Sequence, residues 1–440
     1  MSQIDWSVLL RLSKILKGFE VNNNIDRNEF RDLLCEIDKE YCDLIDGLRD
    51  GFKLMMIGDR YSIFTRKLRM QLKAVFGDTI KILSYSWFNN YPNITSNLFD
   101  DAVLKIDVNV SAKLNLPICN RVAEVFKYIL SRYTPDIIHI HYLSHHLFCE
   151  LVGLKSSNFV PRSIITMWGS DMYRLPRGAI INKVLQTFWL DQADLVSVGN
   201  KYMRQDFIDV YGNSYNNKIR YAAFGLPTDI VYQDHYVTDS CVKEFAEKYS
   251  IPDDKIKIVI SSSADPYEGH KYIVEELMSL PKDLRKKLFL LIPMTYGDLN
   301  YREKFEKILN DYEIDMDYIM FKEYMSDADI IALRKVADIV IFLPLTDAFS
   351  AFLQESLYLG NVVITGSWLP YGWIEENGIY AYKLKEKYKE GELSNLIENI
   401  LSNLEKEKEL SMRNKYKMVK MVSWQYNLKG WLKLYREALK

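Results

Sequence analysis

The spacing of apolar positions changes character near residue 50 and again near residue 230. Val8, Leu9, Leu12, Ile15 and Leu16 recur at helical intervals, and Phe30, Leu33, Leu34 and Ile37 do so again. The polar interval "NNNIDRNE" separates the two runs. This predicts a helical extension over residues 1–50. From Gly51 the pattern becomes short apolar runs alternating with amphipathic stretches. "FKLMMIG" predicts a buried first strand and "SIFTRKLRMQLKAVFG" the helix after it. The strands "TIKILSYSW", "PDIIHIHYL" and "RSIITMWGSDMY" follow, with the helix "NRVAEVFKYILSRY" among them, and "ADLVSVGN" leads into "KYMRQDFIDVYG". The turn-rich "FGLPTDIVYQDHYVTDS" predicts a linker. A second series then runs from "KIKIVISSS" to "NVVITG", and the tail from about Glu390 is helical.

Strands alternating with helices predict parallel sheets with crossover helices. The fold class is therefore α/β: two tandem Rossmann-like, doubly wound domains over residues 51–230 and 231–422, with the N-terminal helical extension before them. A C-terminal helix over 423–440 is placed as a segment crossing back to the first domain. In such folds ligands sit outside the carboxyl ends of the strands. With two domains facing a central cleft, the residues just after each strand are the ones to examine.

Length and composition agree. A chain of 440 residues exceeds one ordinary core. Hydrophobic content of 48% and charged content of 26% are those of a globular protein. A formal net charge of −2 argues against a dedicated nucleic-acid binder. The 30 tyrosines fit either loops that meet polar ring-shaped ligands or ordinary packing. Cys35, Cys42, Cys119, Cys149 and Cys241 are scattered without a CxxC, which predicts reduced thiols and a cytoplasmic protein. The first residues lack the apolar core of a signal peptide, and no window reads as a transmembrane helix. The sequons Asn93-Ile94-Thr95 and Asn109-Val110-Ser111 are then chance matches. Adjacent aspartates in "NLFDDAV" and "IPDDKI" read as loop charges, and no ligand cluster for a metal stands at a strand end.

The most informative stretch is "LPLTDAFSAFLQESLYLGNVVITG". Its strand delivers Asp347 to a turn, and a helix starts near Ser350. The free N–H groups of Phe349, Ser350 and Ala351 make such a start attractive to a phosphate. Glu355 lies about a turn and a half further on, where a carboxylate can accept hydrogen bonds from the hydroxyls of a ribose. Asp347 can serve hydroxyls of a sugar in the same way. Spacing alone leans toward the plainer alternative, a helix N-cap at Asp347 and a solvated charge at Glu355.

That stretch resembles the acidic-x7-acidic motif of the retaining GT-B glycosyltransferases (glycosyltransferase family 4-like). Asp347-Ala348-Phe349-Ser350 matches that family's Glu-Gly-Phe-Gly turn, and Glu355-Ser356 its Glu-Ala. "PDIIHIHYLSHH" is similar to its Asp…His-x-His strand end and "TMWGSDMYR" to its His-Gly-Ser-Asp segment, with Trp168 where histidine is usual. The resemblance implies donor contacts at Glu355, Phe349 and Ser350. It makes Asp347, His141 and Asp171 the candidates for catalysis. Alternation along the strand is taken to turn only one of His139 and His141 toward the crevice, and His141 is nearer the strand end. Where the family clamps the diphosphate with Arg and Lys, this chain has Ser263 and Glu268 within "SSSADPYEGHKY". That segment and "IPMTYGDLNYREKFEKI" are similar to bacterial dTDP-4-acetamido-4,6-dideoxygalactose transferases, which act on a polyprenyl-diphosphate glycolipid. The diphosphate is then assigned to Ser261, Ser262, Ser263, His270 or Lys271, and the base or sugar pocket to Tyr296 and Gly297.

The implied function is a hexosyltransferase-type glycosyltransferase. It moves a sugar from a UDP-, dTDP- or GDP-sugar to a glycan or polyprenyl-linked acceptor in bacterial surface polysaccharide assembly, without a metal and with retention. No cofactor is expected, the nucleotide-sugar being a substrate. An inverting route would need a base, for which His141 or Asp171 is the candidate. The first domain is assigned the acceptor, with Arg60, Trp168 and Gly169 as contacts. Arg66, Lys67, Arg69 and Lys73 lie away from the Phe64-Leu68-Leu72-Val75 stripe and offer a basic face to an anionic membrane surface, which would place the protein on the inner face of the cell membrane. The alternatives are a catalytically silent nucleotide-sugar-binding partner subunit and a GT-B-fold sugar-nucleotide epimerase.

Overall fold

The computed structural model describes residues 4–86, 100–105, 115–312 and 314–440. Both sequons fall outside the described residues. The chain forms two compact units, one comprising Met1–Pro227 with Trp424–Lys440, the other Thr228–Ser423.

The first unit is built on a seven-stranded sheet ordered β3-β2-β1-β4-β5-β6-β7. Its strands are β1 Lys53–Ile57, β2 Lys81–Ser86, β3 Ala102–Lys105, β4 Ile137–His141, β5 Arg162–Thr166, β6 Leu195–Val198 and β7 Ile219–Tyr221. Every pairing is parallel. Strands covered on both faces need no alternation, so β1 and β4 appear in the sequence as near-continuous apolar runs.

The N-terminal helices belong to this unit. Asp5 caps the helix Trp6–Asn22 and Asp26 caps Arg27–Ile37. Leu12, Leu16, Phe19, Phe30 and Leu34 join one core with Leu54 of β1, Leu68 and Leu72 of the helix Ile63–Phe76, and Trp431 and Tyr435 of the C-terminal helix Trp424–Ala438. Tyr41 links the two chain ends: its hydroxyl donates to the Gln425 carbonyl at 2.6 Å and accepts from the Lys429 N–H at 2.9 Å.

This packing overturns the expected basic face. Lys67, Arg69 and Lys73 are buried. Lys67 and Arg66 pair with Glu20 of the first helix at 3.0 and 2.6 Å, Arg69 with Asp100 at 3.2 Å, and Lys73 with Asp101 at 2.7 Å. Asp100 and Asp101, expected to be loop charges, are thus the counter-ions of buried cations. A second helix layer covers the face that periodicity alone assigns to solvent.

The thiol expectation is also corrected. Cys35 is bonded to Cys42 and Cys119 to Cys149, leaving Cys241 free and exposed. The first pair closes a turn between consecutive helices. The second joins the adjacent helices Leu116–Tyr133 and Phe148–Lys155 across a separation of 30 residues, which no spacing rule reveals.

The second unit carries a six-stranded sheet ordered β10-β9-β8-β11-β12-β13. These are β8 Ile256–Ile260, β9 Leu288–Pro293, β10 Asp317–Phe321, β11 Ile339–Ile341, β12 Val362–Gly366 and β13 Tyr382–Leu384, again all parallel. Its core is aliphatic, centred on Ile258, Ile260, Leu290, Ile292, Ile339, Ile341, Val362 and Ile364. The segment predicted as linker contains the helices Ile230–Tyr236 and the start of Asp239–Lys248. The two central strands, β8 and β11, open into the loops that hold most of the candidate donor residues.

Candidate active site

In the second unit, β11 ends at Ile341 and the helix Ala351–Leu359 begins ten residues later. Asp347 braces this turn: its carboxylate accepts the Ser350 N–H at 2.9 Å and the Tyr371 hydroxyl. The Ser350 N–H is therefore engaged by Asp347, contrary to expectation, and Ser350 rather than Asp347 is the helix N-cap. Ser350 in turn accepts the Leu353 N–H at 3.3 Å. Phe349 sets its ring edge-on to Trp373 at 5.4 Å.

Glu355 is not a solvated charge. It is 5% exposed, on a helix whose Phe352, Leu353, Leu357 and Tyr358 are buried as well. Its carboxylate accepts the Thr228 hydroxyl at 3.1 Å and lies 3.6 Å from Nη2 of Arg334. Burial pushes this carboxyl above its usual range, while Arg334 and Thr228 hold it down. Arg334 is itself buried, with its guanidinium 4.1 Å above the Phe352 ring. No sequence argument selected it. The available signal was an arginine inside the apolar stripe of "DADIIALRKVA".

The loop after β8 turns its own side chain into its donors. Ser261 adopts φ +58° and gives its hydroxyl to the Glu268 carbonyl at 2.8 Å. The Glu268 carboxylate accepts the Ser262 N–H at 3.0 Å and the hydroxyls of Ser262 and Ser263 at 3.2 and 3.3 Å. Burial, with Asp347 and Asp265 nearby, pushes Glu268 up to about 8 against the Ser262 donors. The serines assigned to a diphosphate thus cradle an internal carboxyl. His270 and Lys271 supply no cation there. The His270 ring is buried beside Phe305, with Nδ1 3.2 Å from the Tyr301 hydroxyl, and burial lowers it to about 3. Lys271 is exposed and pairs with Glu275 at 3.5 Å. Gly297 bridges to Ala264 in the neighbouring loop, where a Cβ would come 2.5 Å from the Ala264 carbonyl oxygen, and it holds φ +113°. Glycine is required for that approach. Tyr296 beside it is 63% exposed.

In the first unit, His139 and His141 lie on the same face of β4, their rings 4.0 Å apart. This corrects the expectation that only one faces the strand-end side: residues two apart in a strand share a face. His139 is fully partnered, by Tyr435 at 2.9 Å and Thr166 at 2.7 Å. His141 has no hydrogen-bond partner among the described residues and packs among Trp168, Phe224 and Trp431. Burial holds it neutral, far below its ordinary value. It also lines a small cavity with Gly58, Asp59, Arg60, Thr65, Arg69 and Ser84. Asp171 is wholly buried and accepts the N–H groups of Leu143, Trp168 and Gly169 at 2.8–2.9 Å. Burial pushes it up to about 6 against those donors. With both oxygens engaged it braces this loop. Gly169 belongs to that brace. Trp168 packs edge-on to Phe64 and Phe224 rather than presenting a polar group. Arg60 is paired with Asp100 at 3.0 Å, so an acceptor phosphate would have to compete with an existing partner.

Residues 242–417 match the family described as "Glycosyl transferases group 1", and residues 92–200 match "Glycosyl transferase 4-like". The chain is a glycosyltransferase of the GT-B type. The fold of this glycosyltransferase is shared with solved structures at low identity. A glycosyltransferase from Rickettsia africae ESF-5 aligns with TM-score 0.69 and 16% identity over 89% of this chain and 99% of its own. A sucrose-phosphate synthase from Thermosynechococcus elongatus gives 0.67 and 15% over 88% and 98%. Anabaena HepE in complex with UDP-glucose gives 0.64 and 12% over 87% and 98%. No curated protein matches the sequence.

The glycosyltransferase therefore brings together, in its second unit, Glu355, Asp347 and the Ser261–Ser263 loop, joined by Glu268, Arg334, Thr228 and Tyr371, which sequence reasoning did not assign to the site. His270 and Lys271 stand apart from this group. Among the described residues, no three His, Cys, Asp or Glu side chains converge as a metal site, and no helix is long and apolar enough to cross a membrane.

Proposed function

We propose that this glycosyltransferase binds a nucleotide-sugar in its second unit, with Glu355 accepting hydrogen bonds from the pentose hydroxyls of the donor. The observation that carries this reading is a buried carboxylate, held by Arg334 and Thr228, in the helix that follows the loop after β11. The partial positive charge of that helix start favours the donor diphosphate. Solved GT-B structures crystallised with UDP and with UDP-glucose support a nucleotide-sugar as the ligand class.

In the same reading the sugar passes to a lipid-linked glycan acceptor during surface polysaccharide assembly, with retention and without a metal. The acceptor oxygen attacks from the face that the diphosphate leaves, and the departing phosphate oxygen takes its proton. Helix dipole and hydroxyl donors stabilise the leaving group. No separate base is needed, which agrees with Asp171 and His141 being buried. The acceptor is assigned to the first unit, near the cavity of Arg60, Thr65 and His141.

A thermal-shift panel of UDP, dTDP and GDP tests the donor class, since a ligand that binds the folded state stabilises it by an amount that grows with the logarithm of its concentration over Kd. Glu355→Gln is the variant to use. Glu355→Ala would remove both the charge and the hydrogen-bond acceptor beside the buried Arg334, at a cost of up to about 3–5 kcal/mol for a broken buried pair. Glutamine gives up the charge but keeps an amide oxygen in place beside Thr228 and Arg334. The glutamine variant is expected to fold and to lose at least tenfold in affinity for the stabilising nucleotide. Unchanged affinity would remove the ribose assignment.

A further inference from the structure

We infer that Arg334 is a positioning residue for donor binding: it keeps the Glu355 carboxylate charged and aimed, so that both oxygens accept pentose hydroxyls. The inference rests on the ribose reading of Glu355 and adds the group that makes that reading work inside a buried site.

The two side chains come from different elements, Arg334 from the helix Asp327–Val336 and Glu355 from Ala351–Leu359. Both are about 5% exposed. A carboxylate so enclosed favours its neutral form unless a cation stands beside it. Nη2 of Arg334, at 3.6 Å from Glu355, is that cation. Thr228 adds a hydrogen bond to the other oxygen. The remaining charged or titratable groups facing Glu355 are Asp327 and Tyr296, and neither supplies positive charge. Arg334 is held over Phe352, three residues before Glu355 on the same helix, so guanidinium and carboxylate move with one element. Its Nε and Nη1 have no hydrogen-bond partner among the described residues. A buried guanidinium with two unused donors is costly in a site that exists only for packing. It is explained if the donor, once bound, satisfies them.

A protonated carboxyl loses one of its acceptor sites to the proton. If Arg334 keeps Glu355 ionised, its removal must weaken nucleotide binding mainly on the acid side. The dissociation constants of UDP, dTDP and GDP are measured for wild type, Arg334→Met, Arg334→Gln and Arg334→Lys at pH 6.0 and 8.5. The quantity read is the variant-to-wild-type ratio at each pH, which cancels the titration of the nucleotide and of Glu268. For the nucleotide that binds wild type, Met and Gln are expected to raise the ratio tenfold or more at pH 6.0 and at least threefold less at pH 8.5. Lysine is expected to stay within about threefold at both. Gln is shorter than arginine but uncharged and able to hydrogen-bond, and it serves if Met does not fold. A ratio independent of pH in the neutral variants overturns the role of Arg334, while the loss in Glu355→Gln leaves the ribose reading standing. Normal binding by Glu355→Gln, or no binding of any of the three nucleotides to wild type, overturns both.

Discussion

At the scale of single residues, the second unit replaces an external clamp with internal pairing. Glu268 takes the place where the resembling enzymes carry a lysine, and its carboxyl fills the cradle of Ser262 and Ser263. Its folded-state pKa of about 8 lies well above the ordinary 4.5. Between those values the folded protein keeps a proton that the unfolded chain releases. Glu268 therefore does not oppose folding below about pH 4.5, and it subtracts stability progressively as pH rises toward 8. One such proton changes stability by at most about 1.4 kcal/mol per pH unit. In Glu268→Gln this slope is absent. The melting temperature of the variant relative to wild type is expected to climb between pH 5 and pH 8, and a constant difference across that range would show that Glu268 is ionised throughout. If a donor diphosphate binds at this loop, it must share or displace this carboxyl, because the cradle donors are already engaged.

Among the elements, the helix Ile63–Phe76 shows how a second layer changes what a pattern means. Its basic residues look solvent-facing along the chain, yet Lys67 is buried against Glu20 of the helix Trp6–Asn22. Burial raises the Glu20 carboxyl, but Lys67 and Arg66 together bring it below its usual value. Glu20→Ala leaves Lys67 enclosed without that anion. The expected cost is on the order of 2–3 kcal/mol, between that of exposed and fully buried pairs. It is measured as a lower urea midpoint with an unchanged slope. A loss under 0.5 kcal/mol would mean that Lys67 reaches water when Glu20 is gone. Arg66 and Lys67 of the basic face assigned to a membrane are, in this arrangement, the joint that attaches the first N-terminal helix.

For the whole molecule, the chain ends meet in the first unit. The helix Trp424–Ala438 contributes seven side chains to that unit's core, from Trp424 to Ala438, and supplies Tyr435 to His139. At about 1.5–3 kcal/mol for each large apolar side chain, their removal exceeds the usual net stability of a domain. A chain ending at Ser423 is therefore expected to lose the first unit's calorimetric transition and keep that of residues 228–423, with proteolysis sparing the latter. Two undisturbed transitions would show that the first unit stands without its last helix.

The sequence alone determined the order of strands and helices, the two parallel α/β series and the segment that carries Asp347 and Glu355, because apolar period and turn residues are local properties of the chain. Only the tertiary structure decided how charged groups are partnered. Glu355 with Arg334 and Thr228, Asp171 with the Leu143 N–H, and Cys119 with Cys149 join residues distant along the chain, while Glu268 with its serines and Cys35 with Cys42 close short loops whose conformation the fold sets. The energy of a buried charge depends on what surrounds it in space, and that environment has no signature in the spacing of residues along the chain.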